Sequence, residues 1–338
     1  MKILVTGGLG YIGSHVVVEL QEQGYDVVII DNLSNTSIDV LDNINSITGL
    51  KPKFEQLDVR DKTELSEFFK RHHDIEGIIH FAASKAVGES VEKPLLYYEN
   101  NINALVYLLQ NIQDKKVNFI FSSSCTVYGQ ADDLPITENA PIKAAESPYG
   151  NTKQIGEEII QDTCKVNPNF KAIALRYFNP IGAHDSALIG ELPLGVPQNL
   201  VPYITQTAIG LREQLSVYGD DYPTRDGTAI RDYIHVVDLA KAHVSALSRL
   251  LEKKAKVNFE VFNVGTGEGS TVIEVITAFE KASGQKLNYK IVGRRAGDVV
   301  EAFAQTDKVN SALGWKSQYS LEEALASSWA WEKKVRGK

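Results

Sequence analysis

The 338-residue sequence contains little cysteine and no group of residues spaced to bind a metal. Neither Cys125 nor Cys164 belongs to a Cys-x-x-Cys pair or to a zinc-type cluster of cysteine and histidine. The adjacent His72 and His73 would point in different directions from a helix, so they are not expected to share a metal ion. We therefore expect no metal site and a reducing compartment.

The chain also lacks an excess of positive charge and any long apolar run. Its 35 Lys and Arg residues face 43 Asp and Glu residues, whereas nucleic-acid-binding domains usually carry a clustered basic face. No run of about 18 apolar residues occurs, and the first residues enter a strand pattern without the segments of a secretory signal. We expect no nucleic-acid partner, no membrane segment and a cytoplasmic location.

Short apolar runs alternate with segments of helical periodicity in the first half of the chain. Five runs are rich in β-branched and aromatic residues: 3–5, 27–30, 77–81, 118–121 and 172–175. Such alternation is typical of parallel strands joined by crossover helices. The sequence therefore predicts an α/β fold with a doubly wound parallel sheet of the Rossmann type.

The first predicted strand runs directly into the glycine-rich segment TGGLGYIG, residues 6–13. Gly7, Gly10 and Gly13 fit G-x-x-G-x-x-G, and starting from Gly8 the segment fits G-x-G-x-x-G equally well. A strand that ends in glycines and opens a helix offers free backbone N–H groups to a pyrophosphate, and glycine allows close approach. The segment therefore predicts a dinucleotide-binding turn.

Asp31 follows the second predicted strand, 18 residues after Gly13. A carboxylate here accepts hydrogen bonds from the adenosine ribose hydroxyls and repels a 2′-phosphate, which favours NAD over NADP. Alternatively, Asp31 and Asn32 form only a turn that ends the strand. The glycines, strand, helix and acid in register favour the first interpretation.

After about residue 178 the regular alternation weakens, because several prolines divide the chain into loops and shorter elements. We predict a NAD-binding Rossmann domain over residues 1–178 that carries the catalytic residues. Residues 179–338 would form a smaller mixed α/β domain that mainly binds the substrate, and the chain could cross between the two.

Tyr149 and Lys153 are spaced i, i+4 in a segment where Pro148 suits the first turn of a helix. A phenol normally titrates near pH 10, and a nearby cation favours its charged form, so Lys153 could make Tyr149 a better base. We expect the chemistry to come from this pair with Ser124 and Thr126. The alternative is a surface tyrosine beside a solvated lysine.

Five motifs occur in the order found in the extended short-chain dehydrogenase/reductase family, and the resemblance covers essentially the whole chain. They are TGGLGYIG, FSSSCTVYG, the Tyr-x-x-x-Lys pair, RYFNPIGA and RDYIHVVDLA. Within that family the sequence resembles the UDP-glucose 4-epimerases, with long matches at residues 85–101, 176–184 and 219–240. The resemblance implies a tightly held NAD and reversible inversion of C4 in a UDP-linked hexose through a 4-keto intermediate.

The resemblance also implies a role for each candidate catalytic residue. Tyr149 would take the proton of the 4-hydroxyl group as the C4 hydride passes to the nicotinamide. Ser124 and Thr126 would hydrogen-bond the C4 oxygen, and Lys153 would bind the nicotinamide ribose and keep the phenol acidic. The sugar would then turn over and regain the hydride on its opposite face.

Two sets of binding residues follow from the same resemblance. The cofactor set is Gly7, Gly10, Tyr11, Ile12, Gly13, Asp31, Asn32, Asn35, Asp58, Val59, Phe81, Ala82, Lys85, Asn100, Tyr149, Lys153 and Tyr177. The substrate set is Ser124, Tyr149, Phe178, Asn179, Asn199, Leu200, Tyr218, Arg231, Tyr233, Arg295, Asp298 and Ala302. Arg231 and Arg295 would clamp the UDP diphosphate, because the arginine fork matches phosphate oxygens. Asn179, Asn199 and Asp298 would complete the nucleotide-sugar site, with Asp298 at the ribose hydroxyls and Tyr233 near the uridine. Alternatively, Arg231 pairs with Asp232 and Arg295 is a solvated charge.

Ala302 matches the family position at the wall of the hexose pocket, where a large aromatic side chain restricts the enzyme to plain hexoses. We expect the small alanine to admit UDP-N-acetylglucosamine and UDP-N-acetylgalactosamine as well, unless Phe303 fills the space.

Family members commonly dimerise through two helices, which we predict near residues 94–113 and 149–164. These segments carry more apolar side chains than one sheet face needs, so we expect a homodimer. Alternatively, the same side chains are all buried inside a monomer. The side chains are Leu95, Leu105, Leu108, Leu109, Ile112, Ile155, Ile159 and Ile160.

Two other functions fit part of the pattern. Another NAD-dependent nucleotide-sugar oxidoreductase would use the same Tyr149 and Lys153, and a non-catalytic NAD-binding sensor would need neither. A 4,6-dehydratase of the family would carry an acidic pair where this chain has Cys125 and Thr126, so elimination lacks its acid and base.

Overall fold

The structure, a computed structural model, describes residues 1–295 and 298–337. Its main element is a seven-stranded parallel sheet with the strand order β11-β6-β5-β4-β1-β2-β3. The strands are β1 (Lys2–Thr6), β2 (Asp26–Asp31), β3 (Lys53–Gln56), β4 (Ile75–His80), β5 (Asn118–Ser122), β6 (Lys171–Tyr177) and β11 (Phe259–Val264). The five strands predicted from apolar runs are confirmed. Strand β3 escaped prediction because it is a polar strand at the sheet edge.

Helices cover both faces of this sheet, which confirms the doubly wound α/β fold. The helices are α1 (Tyr11–Glu22), α2 (Val40–Thr48), α3 (Lys62–Arg71), α4 (Val87–Glu92), α5 (Pro94–Tyr98), α6 (Ala104–Ile112), α7 (Pro148–Val166) and α9 (Val236–Leu251). Alternate residues of β1 enter different cores: Ile3 and Val5 pack under α1, α2 and α9, whereas Leu4 packs under α3, α6 and α7.

Smaller sheets lie in the second half of the chain. Their strands are β7 (Asn179–Ile181), β8 (Leu215–Tyr218), β9 (Ile230–Arg231), β10 (Tyr233–His235), β12 (Ser270–Thr271), β13 (Tyr289–Val292) and β14 (Glu301–Ala302). They pair as β10-β7, β12-β9-β14 and β13-β8. The remaining helices are α8 (Leu200–Ala208), α10 (Val272–Ser283), α11 (Asp307–Leu313) and α12 (Leu321–Val335). Within the described ranges, no helix has the length and apolar character needed to cross a membrane.

The chain returns to the large sheet after residue 178. Helix α9 packs on α1, and β11 forms the edge of the sheet beside β6. The division into domains at residue 178 stays a prediction, and any such division has to allow for this crossing.

Most of the apolar side chains assigned to a dimer surface lie inside the subunit, so they are not free to pack on a second copy, and the homodimer itself stays a prediction. The buried ones fill the core between the sheet and its helices: Leu105, Leu108, Leu109, Ile112 and Ile160. Another apolar group remains on the surface of α4 and α5: Val87, Val91, Leu95 and Leu96.

Candidate active site

The glycine-rich segment joins β1 to α1, as predicted. Gly7 has a φ of +68°, and a β-carbon there would lie 2.8 Å from the backbone nitrogen of Ala82. A β-carbon at Gly13 would collide with the carbonyl oxygen of Gly7. Gly10 caps α1 without a side-chain hydrogen bond, so the helix start offers backbone N–H groups to a ligand. This cradle fits the pyrophosphate of a dinucleotide.

Asp31 ends β2 beside the glycine-rich segment. Its Oδ2 accepts a hydrogen bond from the backbone N–H of Leu9 at 3.2 Å, and its Oδ1 accepts one from Leu33 at 2.9 Å. Burial raises the pKa of this carboxyl group. Asn32 donates a hydrogen bond to Asp58 at 3.0 Å, so the residues predicted to bind the adenosine end lie at one edge of the sheet.

The other residues of the cofactor set are divided between this edge and the loop after β4. Phe81 and Ala82 follow β4 directly, and the Phe81 ring lies 4.8 Å from the buried His243 ring, so Phe81 also belongs to the core. Ile12 and Val59 are buried, whereas Asn35 is exposed.

Tyr11, at the start of α1, and Lys85, in the loop after β4, both contact the second half of the chain. The Lys85 ammonium lies 5.6 Å from the centre of the Tyr11 ring and pairs with Glu191 at 3.1 Å. The Tyr11 hydroxyl donates a hydrogen bond to the carbonyl oxygen of Gly182 at 2.7 Å.

Tyr149 and Lys153 lie on the buried face of α7. The helix begins as predicted, with Pro148 in its first turn and the Ser147 hydroxyl accepting the Gly150 N–H at 3.1 Å. Tyr149 is 7% exposed and Lys153 5% exposed, so the interpretation as a surface pair is wrong.

The environment of this pair is low in polarity. The Lys153 ammonium lies 5.7 Å from the centre of the Tyr149 ring and donates a hydrogen bond to the Ser122 carbonyl oxygen at 2.7 Å. Burial lowers the pKa of Lys153 to about 8, although the nearby Glu157 carboxylate opposes this. Burial raises the pKa of Tyr149 well above its usual range, and a hydrogen bond with Ser124 opposes that shift. Proton removal from Tyr149 therefore depends on nearby positive charge.

Thr126 lies in a 3₁₀ turn, Cys125–Tyr128, shortly after β5, and Ser124 is the residue that precedes this turn. The Ser124 hydroxyl caps this turn by accepting the Thr126 N–H at 3.2 Å. The Thr126 hydroxyl is buried and has no hydrogen-bond partner in the described part of the chain, so it is free to bind a ligand group. The Tyr177 hydroxyl lies 2.6 Å from Ser122 Oγ at the same sheet edge.

Arg231 and Arg295 both face Asp298. Arg295 donates two hydrogen bonds to this carboxylate, at 2.7 and 3.1 Å, and Arg231 Nη2 lies 3.7 Å from it. The alternative pairing of Arg231 with Asp232 is wrong, because the buried Asp232 carboxylate accepts its hydrogen bonds from Thr266, Gly267 and Ala304. Two guanidinium groups therefore converge on one acidic side chain.

Ala302 lies directly opposite Arg231, because β14 pairs with β9 in parallel register. Its methyl group shares a buried cluster with Phe178, Val127 and Tyr128, which brings it beside the 3₁₀ turn. Phe303 follows β14, and a β-carbon added at Gly269 would lie 3.2 Å from its ring.

The rest of the substrate set lies on nearby elements. Asn179 of β7 pairs with Tyr233 of β10, and Tyr218 ends β8 with the Arg295 guanidinium 5.5 Å from its ring. Asn199 precedes α8, which begins at Leu200, and donates a hydrogen bond to Glu191 at 2.7 Å.

Sequence analysis missed Asn101 and Glu191. Asn101 lies in a π-helical turn, Glu99–Asn103, between α5 and α6; its Oδ1 accepts the Ser84 N–H at 2.8 Å and its Nδ2 donates to Thr152 at 3.0 Å. Asn100, in the same turn, donates to the Ser84 hydroxyl at 3.0 Å. Glu191 joins Lys85 to Asn199. No sequence pattern marks Asn101, because the π-helical turn that holds it lies in a segment of ordinary helical periodicity.

Comparisons with known proteins find relatives that match nearly the whole chain. The family model described as GDP-mannose 4,6 dehydratase matches residues 4–328. The chain is 49% identical over 333 residues to a UDP-glucose 4-epimerase of Dictyostelium discoideum, covering 98% of this chain and 95% of that protein.

Two solved structures share the fold. One is a UDP-glucose-4-epimerase from Stenotrophomonas maltophila with bound NAD and formylated UDP-arabinopyranose, with a TM-score of 0.95, 46% identity, and coverage of 100% of this chain and 99% of that one. The other is the UDP-Glc/GlcNAc 4-epimerase from Campylobacter jejuni, with a TM-score of 0.84, 36% identity, and coverage of 98% and 99%.

Proposed function

The chain belongs to the UDP-glucose 4-epimerase family, and we propose that it interconverts UDP-glucose and UDP-galactose by NAD-dependent inversion of C4. One observation carries the proposal: the buried Tyr149 and Lys153 of α7 lie at the sheet edge that also bears the glycine cradle. When bound there, NAD would supply a hydride acceptor that returns the hydride. The test is sugar interconversion by the purified protein without added cofactor.

We propose that Tyr149 accepts the proton of the sugar 4-hydroxyl group and later returns it. Ser124 and Thr126 would hold the C4 oxygen, which gives the unpartnered Thr126 hydroxyl a hydrogen-bond partner. The Lys153 ammonium, fixed to the Ser122 carbonyl oxygen, would favour the phenolate electrostatically. Base and hydrogen-bond donors would thus act on one oxygen atom.

Dehydration is a second reaction to consider, because the matching family is described as GDP-mannose 4,6 dehydratase. The two residues after Ser124 do not favour it. An elimination needs an acid and a base beside the sugar, and the two positions after Ser124 carry a thiol and a hydroxyl. Burial raises the pKa of Cys125 to about 11, so its thiol stays neutral near pH 7. Tyr149 alone suits a redox-neutral inversion, in which the same group takes and returns the proton.

Turning the sugar over inside the site requires that the rest of the substrate stays anchored. We propose that Arg231 and Arg295 leave Asp298 in part to bind the diphosphate, since each guanidinium can hold phosphate oxygens in a bidentate manner. Asp298 would keep the two guanidinium groups oriented, and Asn199 would bind from the start of α8. The hexose itself would be held only by its contacts at C4.

We also propose that the acetamido sugars UDP-N-acetylglucosamine and UDP-N-acetylgalactosamine are substrates. Ala302 offers only a methyl group beside Phe178, and the Phe303 ring lies near Gly269. The similar Campylobacter jejuni enzyme is described as a UDP-Glc/GlcNAc 4-epimerase, which supports a wider pocket in this chain.

A homodimer is proposed from the exposed apolar group on α4 and α5. Leu95 is 80% exposed and Val91 63% exposed, and Val87 and Leu96 extend the same surface. A second copy packing there would remove these side chains from water, and sedimentation at micromolar concentration would reveal a monomer if the proposal is wrong.

We propose the cytoplasm as the location, where the free Cys125 and Cys164 stay reduced.

A further inference from the structure

A buried hydrogen-bond network lies behind Ser124 and the 3₁₀ turn that carries Thr126. Arg176 of β6 forms a two-point ion pair with Glu157 of α7, with its closest contact at 2.5 Å. Arg176 Nη1 also donates a hydrogen bond to the Tyr128 hydroxyl at 2.9 Å. The Tyr128 hydroxyl in turn donates to Oδ1 of Asn263 in β11 at 2.6 Å.

The side chains of this network are buried. Tyr128 and Asn263 are fully buried, and Arg176 and Glu157 are 6% and 7% exposed. Removing one member would leave a buried partner without its hydrogen bond, which costs more than the bond itself contributes. Such a network therefore holds its members in one arrangement.

Tyr128 links this network to the reacting groups. It is the last residue of the 3₁₀ turn that Ser124 caps, and its ring lies 4.8 Å from the Arg176 guanidinium. The same turn carries Thr126, whose free hydroxyl faces no protein partner in the described ranges. Anchoring the end of a four-residue turn limits how far its first residues can move.

The network also reaches the segment after Ala302. Asn263 Nδ2 donates to the Ile136 carbonyl oxygen at 2.8 Å, and Ile136 exchanges backbone hydrogen bonds with Phe303 and Gln305. The Tyr128 hydroxyl therefore lies between the catalytic helix α7 and the segment that continues β14.

We propose that Tyr128 is a positioning residue for the reaction, which holds the Ser124 and Thr126 hydroxyls against Tyr149 through its bonds to Arg176 and Asn263. The inference rests on the proposed epimerase function. Tyr128 does not touch the sugar; it acts on turnover through the position of the turn.

The first test is Tyr128→Phe, which removes one hydroxyl group and keeps the ring. We expect kcat for UDP-galactose to fall about tenfold, because the less firmly held turn would place the Ser124 and Thr126 hydroxyls less well against the C4 oxygen in the transition state, with KM and bound NAD little changed. The control is Tyr25→Phe, which removes a hydroxyl 3.3 Å from Ser248 Oγ at the opposite end of the sheet and should leave kcat unchanged. An unchanged kcat in Tyr128→Phe would overturn the inference.

The second test separates positioning from a general loss of stability. In a Ser124→Ala/Thr126→Val background the hydroxyls to be positioned are gone, so adding Tyr128→Phe should change kcat less than about twofold. A further tenfold fall in that background would overturn the inference. If Tyr128→Phe does not fold, Asn263→Ala removes the acceptor of the Tyr128 hydroxyl instead, and its kcat is compared in the same two ways.

If the wild type shows no turnover, the proposed function is overturned together with this inference. An unchanged kcat in Tyr128→Phe, or a further fall in the double-variant background, overturns only the inference and leaves the proposed function intact.

Discussion

The Lys153 ammonium donates a hydrogen bond of 2.7 Å to the backbone carbonyl oxygen of Ser122. Ser122 is the last residue of β5, and Ser124 follows two residues later. One contact therefore fixes the side chain of α7 to the end of the strand that leads into the 3₁₀ turn. The Lys153 ammonium beside Tyr149 and the Ser124 hydroxyl are consequently both held by the end of β5. An acid–base site requires its groups to be held in fixed positions in this way.

Tyr149→Phe tests the assigned base. The change removes only the phenol oxygen from a side chain that is 7% exposed, so the protein should fold and keep its NAD. We expect kcat to fall at least about 10²-fold, since general acid–base catalysis is typically worth 10² to 10⁴ in rate. Near wild-type turnover, measured on protein with full NAD content, would exclude Tyr149 from the mechanism.

Arg231→Ala tests the diphosphate anchor. Loss of a charged hydrogen-bonding partner should raise KM for UDP-galactose about 10- to 100-fold, because such contacts contribute roughly 1.5–3 kcal/mol. The matched control is Arg294→Ala: Arg294 neighbours Arg295 but pairs with Asp221 on the surface. Equal values of KM in the two variants, measured by steady-state kinetics, would contradict the assignment.

Ala302→Tyr tests the sugar pocket. A tyrosine opposite Arg231 would occupy the space that an acetamido group needs, so turnover of UDP-N-acetylgalactosamine should fall at least about tenfold while UDP-galactose turnover is kept. Kinetics of both sugars on both proteins provide the comparison. If the wild type already rejects acetamido sugars while it converts UDP-galactose, the pocket assignment is wrong.

Glu19→Gln tests an electrostatic cost in α1. Burial raises the pKa of Glu19 to about 7. Above pH 7 the folded protein must therefore hold a poorly solvated carboxylate, which lowers its stability. Below pH 4.5, the ordinary pKa of a glutamate, the group is neutral in both the folded and the unfolded protein, so this cost disappears. The variant should therefore have a free energy of unfolding about 1–2 kcal/mol higher than the wild type at pH 8. Its advantage should vanish as the pH falls from 7 to 4.5. Denaturant unfolding at both ends of this window measures it, and a difference independent of pH would show that Glu19 ionises normally.

The local parts of the site could be predicted from sequence. The turn with Gly7 and Gly13, and the spacing of Tyr149 and Lys153, depend on neighbours in the chain, and the structure has the corresponding loop and helix. Asn101 and Glu191 could not be predicted, because each bonds to residues distant in the chain. The pairing of Arg231 with Asp298 could not be predicted either, because it joins segments that are distant in the chain.

The role of apolar residues shows the same limit. Helical periodicity correctly marks Leu105 and Leu108 as one face of a helix, but it cannot tell whether that face meets the sheet or a second subunit. The structure assigns both to the core and leaves Leu95 exposed.

The most direct test of the central claim is a product analysis on the purified wild type with UDP-galactose and no added cofactor. We expect NAD to be released when the protein is denatured, and the native protein to convert UDP-galactose to a mixture with UDP-glucose without accumulating free NADH. Conversion that requires added NAD and releases NADH in proportion to product would indicate a net dehydrogenase and contradict the account. Bound NAD with no sugar interconversion would contradict it equally.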